Sequence, residues 1–240
     1  MTKSKIISCL PKHEPIFRAI DVILTRTTSE SRTRAFRSSD FAERLRRTFP
    51  DPRHRLAYTS ALLINQLAYH GYTDGLTEPN QLLQISEYPH ALDEKASLSC
   101  FEFVVYAAHL AGDIDEDHLR AFPKSGNFEK VCQILSKKGK GIVGWPANNP
   151  DPGTLIFLGC NKTRKPVHVG IYLDHKRIIH LWDKVVGGQR VNSVSIISLA
   201  GFFSFQQDPF IRFADPGWMD MKSFEEGFGD ALKTNKNCNL

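Results

Sequence analysis

A change of period at one joint limits what this chain can fold into. Ahead of the segment 146–153, Pro-Ala-Asn-Asn-Pro-Asp-Pro-Gly, apolar residues recur at helical spacing; behind it they fall in short runs of strand character. Ile16, Phe17, Ile20, Ile23 and Leu24 follow Pro15, and Phe41, Leu45 and Phe49 follow Asp40, with Glu43 placed as in a capping box. Leu56, Leu63, Ile64, Leu67 and Ala68 form a longer stretch that stops at Gly71, and Leu82, Leu83 and Ile85 mark a shorter one. Helices are also expected over 97–112, 115–122 and 127–138, and strands over 154–158, 167–173, 177–182, 191–197 and 210–213. Helices first and antiparallel strands second give the fold class α+β.

With 240 residues, 41% of them apolar, the chain can bury a substantial core. No apolar run nears the roughly 18 residues that cross a bilayer, so no membrane span is expected. The start, with Ile6-Ile7-Ser8-Cys9, lacks the apolar stretch of about 7–15 residues of a general export signal. A product made in the cytoplasm is expected, one that stays there or leaves by a specialised machine. The five cysteines, Cys9, Cys100, Cys132, Cys160 and Cys238, contain no Cys-x-x-Cys pair and are odd in number, so a free thiol is expected rather than a zinc ribbon or disulfide framework. Residues 1–55 carry 13 Lys/Arg against 6 Asp/Glu, while the remainder carries 18 against 20. The basic segment is a solvated helical face or a surface for an anionic polymer or acidic partner. Without aromatic–basic interleaving, no specific nucleic-acid partner is expected.

The stretch 97–112 is apolar around its whole circumference, which implies burial on most sides. Ser97 or Ser99 can cap its start and Gly112 its end. Cys100 then lies in the first turn, where unpaired N–H groups and the helix dipole favour a thiolate and should lower the thiol pKa. The alternative is a structural core cysteine. His168 and His180 flank Asp174-His175-Lys176. A three-residue loop puts His180 opposite Gly170, on the face of His168 and diagonal to it at about 7–8 Å. A two-residue loop would instead set Asp183 opposite His168 and turn His180 away. The three-residue loop is adopted, with Asp183 the alternative partner. His168, His175 and His180 have no carboxylate or cysteine at ligand spacing, so neither a metal nor another cofactor is expected. His109, nine residues beyond Cys100, is too far along the helix to serve it as a base.

Three segments together resemble the NlpC-type cysteine peptidases of the papain-like superfamily, across about half the chain: Cys-Phe-Glu-Phe-Val-Val-Tyr-Ala-Ala-His-Leu-Ala-Gly (100–112), Pro-Gly-Thr-Leu-Ile-Phe-Leu (152–158), and the His-Val-Gly-Ile-Tyr-Leu strand at 168–173 with His180 twelve residues after His168. The chain departs from that family at Ser99 and Phe101, where Asp-Cys-Ser is usual, at Thr154 in place of a strand Asp, and in lacking Trp-Gly-Gly before the cysteine. The resemblance implies a papain-like core over 86–215, with the nucleophile helix packed on an antiparallel sheet, a basic helical region over 1–85 and a tail over 216–240. It implies Cys100 as nucleophile, His168 as base, His180 as the group that orients it, and Tyr88, twelve residues before Cys100, as an oxyanion donor. The implied substrate is an amide bond of a peptidoglycan stem peptide. The implied setting is an antibacterial toxin delivered by type VI secretion to a target periplasm, with an immunity or carrier protein as partner. The alternatives are a deamidase, thioesterase or acyltransferase acting inside a target cell, and a non-catalytic basic binding module with Cys100 in its core.

Overall fold

The structure, a computed structural model, describes residues 13–69, 97–121, 128–136, 142–143, 149–163, 165–174, 176–186 and 189–226. Four helices come first: α1 (Glu14–Arg26), α2 (Ser29–Phe36), α3 (Phe41–Thr48) and α4 (Pro52–Leu62). Two-residue parallel strands, β1 (Ala68–Tyr69) and β2 (Ser97–Leu98), lead into α5 (Cys100–Leu110), followed by α6 (Glu116–Ala121) and α7 (Phe128–Leu135). The remaining strands are β3 (Ile142–Val143), β4 (Leu155–Cys160), β5 (Pro166–Tyr172), β6 (Arg177–Val186), β7 (Gln189–Ser198) and β8 (Pro209–Ala214), with α8 (Leu199–Phe203) between β7 and β8. They form an antiparallel sheet in the order β3-β8-β4-β5-β6-β7. The fold is α+β, as the change of period at the joint implies.

Local chemistry sets the helix starts. Pro52 opens α4 where a missing N–H costs nothing, and the Asp51 carboxylate accepts from the Arg53 N–H at 2.9 Å. Thr28 caps α2 in the same way. The expected box at Asp40 does not close: its carboxylate accepts from the Ser38 hydroxyl and pairs with Arg44 instead.

The sheet separates two apolar layers. Leu155, Phe157, Val169, Ile171, Ile179 and Leu181 point to one face, where they join Ile16 and Ile20 of α1, Leu45 of α3, Leu56 of α4 and Phe101, Val104 and Val105 of α5. Each such side chain contributes about 1.5–3 kcal/mol on burial. Ile156, Leu158, Tyr172 and Ile178 point to the other face, where Phe202 of α8 and Phe213 complete a smaller cluster. The period-2 alternation of the strands produces this division.

Two contacts brace the start of α4, one against the joint that leads into the sheet and one within the helical layer. Gly153, at the end of the joint, has φ +88°, and a Cβ there would lie 1.8 Å from the Arg53 carbonyl oxygen, so only glycine lets the joint meet the start of α4. Arg55 of α4 is buried and donates through Nε to Asp113 at 2.8 Å, and through Nη1 to the carbonyls of Phe49 and Pro50 at 2.8 and 2.7 Å. It thereby ties the end of α3 to the turn after α5. Burial raises the Asp113 carboxyl above its ordinary value, against the opposing pull of Arg55. Among the described residues no helix is long and apolar enough to cross a membrane.

Candidate active site

Cys100 is the first residue of α5. Ser99 caps the helix: its hydroxyl accepts from the Glu102 N–H at 3.3 Å, and the Glu102 carboxylate accepts from the Ser99 N–H at 2.7 Å. The backbone amides of Val169, Phe101 and Cys100 are directed at the sulfur. The thiol nevertheless differs from the sequence expectation of a lowered pKa. Cys100 is 1% exposed, and burial pushes the thiol up to about 12, outweighing the three amides. A helix N-terminus favours a thiolate only where desolvation does not cost more.

The loop between β5 and β6 settles the register. Leu173 N–H donates to the Arg177 carbonyl at 3.0 Å, enclosing residues 174–176, and the Asp174 carboxylate accepts from the Lys176 and Arg177 N–H groups at 2.8 Å. Gly170 therefore faces His180, Ile171 faces Ile179 and Tyr172 faces Ile178. The alternative register is not formed: Asp183 lies opposite Asn192 of β7, and Asp183 is not the residue set against His168. His168 Nε2 is 3.1 Å from His180 Nδ1, and both side chains are buried. Trp182 lies against the His168 ring at a centroid distance of 4.2 Å, with Phe202 at 5.2 Å and Phe205 at 5.9 Å. Gly170 permits this cover, because a Cβ there would come within 2.9 Å of the Phe202 ring.

Alternation puts the two imidazoles on the α8 face of the sheet, whereas α5 packs on the other. The structure therefore brings His168 and His180 together but joins neither ring to the Cys100 sulfur; what reaches the sulfur is backbone, at the end of the β5–β6 ladder. The Leu173 amide points to β6, and by the alternation of antiparallel rungs so does that of Val169. The β5–β6 pairing runs only over Gly170–Tyr172, and the Val169 amide is directed at the Cys100 sulfur. The thiol thus sits beside the peptide joining His168 to Val169. His168 Nδ1 is buried with no hydrogen-bond partner among the described residues. A buried polar atom left unpaired costs about 1–3 kcal/mol. In the tautomer whose Nε2–H donates to His180, Nδ1 carries a lone pair; in the other tautomer Nδ1 carries the hydrogen.

Trp182, Phe202 and Phe205 around the imidazoles were not identified from sequence. The only signal was the Phe202-Phe203-Ser204-Phe205 run after Ser198, which caps α8. Tyr88 and His175 lie outside the described residues. His109 stands near the far end of α5, with Nδ1 3.2 Å from the Ile114 carbonyl. Among the described residues no group of three or more His, Cys, Asp or Glu side chains could hold a metal. Comparisons of the chain with protein-family models, curated proteins and solved structures gave no match.

The two central groups predict opposite pH limits. Burial, reinforced by His180, holds the His168 imidazole well below 6.5, so below that pH the unfolded chain binds a proton that the folded chain does not, and stability falls. His54, lowered by burial, acts in the same direction. Cys100 stays protonated when folded up to about 12, whereas the unfolded thiol ionises near 9.0, so stability also falls above that pH. Urea midpoints at pH 5, 7 and 9.8 should therefore be highest at pH 7. Cys100→Ala should flatten the alkaline side by about 1 kcal/mol, and His168→Gln should reduce the acid loss while leaving the His54 share. An unchanged alkaline slope in Cys100→Ala would contradict this assignment.

Proposed function

We propose that the chain is a papain-like cysteine hydrolase acting on amide bonds, with Cys100 as nucleophile, His168 Nδ1 as the proton acceptor and His180 as the positioning residue. One observation carries the reading: the His168–His180 bond leaves a buried ring nitrogen unpartnered on the residue whose neighbouring amide meets the Cys100 sulfur. Nδ1 takes the thiol proton, and the sulfur attacks the substrate carbonyl carbon. The resulting oxyanion is held by the Cys100 N–H and by Tyr88, as the family resemblance implies. Nδ1–H then protonates the leaving amine, and water activated by the same nitrogen releases the acyl group from sulfur. His180 holds the proton of Nε2 and with it the working tautomer. In the closed site both groups are neutral and lie on opposite faces of the sheet, so the thiolate–imidazolium pair forms only once substrate has displaced the aromatic cover and the His168 side chain has turned past the end of the β5–β6 ladder to the sulfur.

The proposed substrates are stem peptides of peptidoglycan, and the proposed setting is a toxin delivered by type VI secretion, with an immunity or carrier protein as partner. The order of a cysteine helix followed by two histidine strands supports the hydrolase class, and the net positive charge of residues 1–55 suits an anionic wall polymer. A second reading, a thioesterase or acyltransferase, draws on the aromatic wall of Trp182, Phe202 and Phe205, which suits an acyl chain.

Digestion of purified peptidoglycan under reducing conditions, with products read by mass spectrometry, tests the choice beside a panel of acyl thioesters. New stem-peptide fragments with new amine termini support the first reading. Thioester turnover without fragments moves the assignment to the second. Absence of both, across pH 5–9, overturns the hydrolase and leaves a binding module.

A further inference from the structure

A pocket lies in the helical layer, and Cys100 is not among the residues that line it. Helices α1, α2 and α4 enclose an open pocket of about 420 Å³, a size typical of small-molecule sites. Its wall is largely apolar, formed by Val22, Ile23, Ala35 and Leu62, and Val22 is 46% exposed. Arg32 and Arg18 line it together with the Tyr58 ring.

Arg32 is the unusual member. It is only 9% exposed, and its Nε reaches the Thr28 carbonyl at 3.4 Å, with no carboxylate beside it among the described residues. Buried guanidinium groups are ordinarily paired. Every carboxylate on the surrounding helices is engaged by another arginine. Glu14 pairs with Arg18, Asp21 with Arg177 at 2.9 Å, and Glu30 with Arg34 at 3.0 Å, while α4 carries none. Burial presses against the Arg32 charge, and nothing nearby offsets it. A planar fork of donors at the edge of an apolar pocket matches an oxyanion borne on an apolar body.

We propose that this pocket binds a small amphiphile with a single oxyanion head, a carboxylate or phosphate monoester. The head pairs with Arg32, and the apolar body lies along Val22, Ile23, Ala35 and Leu62.

Calorimetric titration of the full chain with octanoate, octyl phosphate, octanol and acetate tests this. Octanoate or octyl phosphate should bind at least about 10-fold more tightly than both octanol and acetate, because only they supply charge and apolar surface together. The tighter of the two anions identifies the head group. Arg32→Met should abolish the preference over octanol, and Cys100→Ala should leave it intact. Equal affinity for octanoate, octyl phosphate and octanol overturns the proposal, as does unaltered anion binding by Arg32→Met. Should Arg32→Met fail to fold, Ala35→Leu narrows the pocket without removing a charge. It should weaken the anion by about 10-fold, and unchanged affinity in that variant overturns the proposal equally.

Discussion

Cys100→Ala is expected to lower the release of stem-peptide fragments by a factor of about 10³ or more while the protein stays folded. The substitution removes one buried sulfur from the first turn of α5 and leaves the Ser99–Glu102 box in place, so the stability loss should be only about 1 kcal/mol. His168→Gln should fall in the same activity class, because it removes the proton acceptor while filling most of the ring's space. His180→Ala should cost less, since it frees the orientation of His168 without removing the acceptor. His180→Asn should recover part of that loss, because its side-chain oxygen can accept from His168 Nε2, and it should shift the pH profile of kcat/KM, which a merely structural role would not. Fragment yield by mass spectrometry, read beside circular dichroism, checks the series. Activity in Cys100→Ala within tenfold of the unsubstituted chain would exclude the proposed nucleophile.

The second large effect concerns the frame. Asp113→Ala should destabilise the fold by about 3–5 kcal/mol, because it leaves the Arg55 guanidinium buried with only the Phe49 and Pro50 carbonyls as acceptors. At about 2–4 °C per kcal/mol for a chain of this size, Tm should fall by about 6–20 °C. Adding Arg55→Met should restore part of the loss, since the double variant removes the stranded charge as well. A double variant less stable than Asp113→Ala alone would mean that Arg55 acts mainly through its carbonyl contacts to α3.

The strands were legible because alternation and turn chemistry acted together. The Asp174-His175-Lys176 loop, by its odd length, fixed Gly170 opposite His180 and hence the imidazole pair. Ser99 was legible as one of two candidate caps, beside Ser97, because capping is local, whereas the part of Glu102 in the box was not read from the sequence. The thiol's ionisation was not, since it depends on how the finished core covers Cys100, and burial reversed the direction that the helix terminus alone implies. The aromatic cover was equally hidden, because Phe202 and Phe205 reach His168 only through packing of α8 on a face that no local pattern assigns. Arg55 shows the same limit. Within a run of arginines it resembled its neighbours, and only the tertiary position of Asp113 distinguishes it.

The pairing of sulfur and imidazole is tested most directly by the rate at which iodoacetamide labels Cys100 between pH 5 and 10, followed by peptide mass spectrometry in the unsubstituted chain and in His168→Gln. The half-exposed Cys160 provides an internal reference in both. If His168 Nδ1 takes the thiol proton whenever the site opens, labelling of the unsubstituted chain should persist down to about pH 6. In His168→Gln it should fall about tenfold per pH unit below the ordinary thiol range. Superimposable profiles for the two proteins would contradict the account.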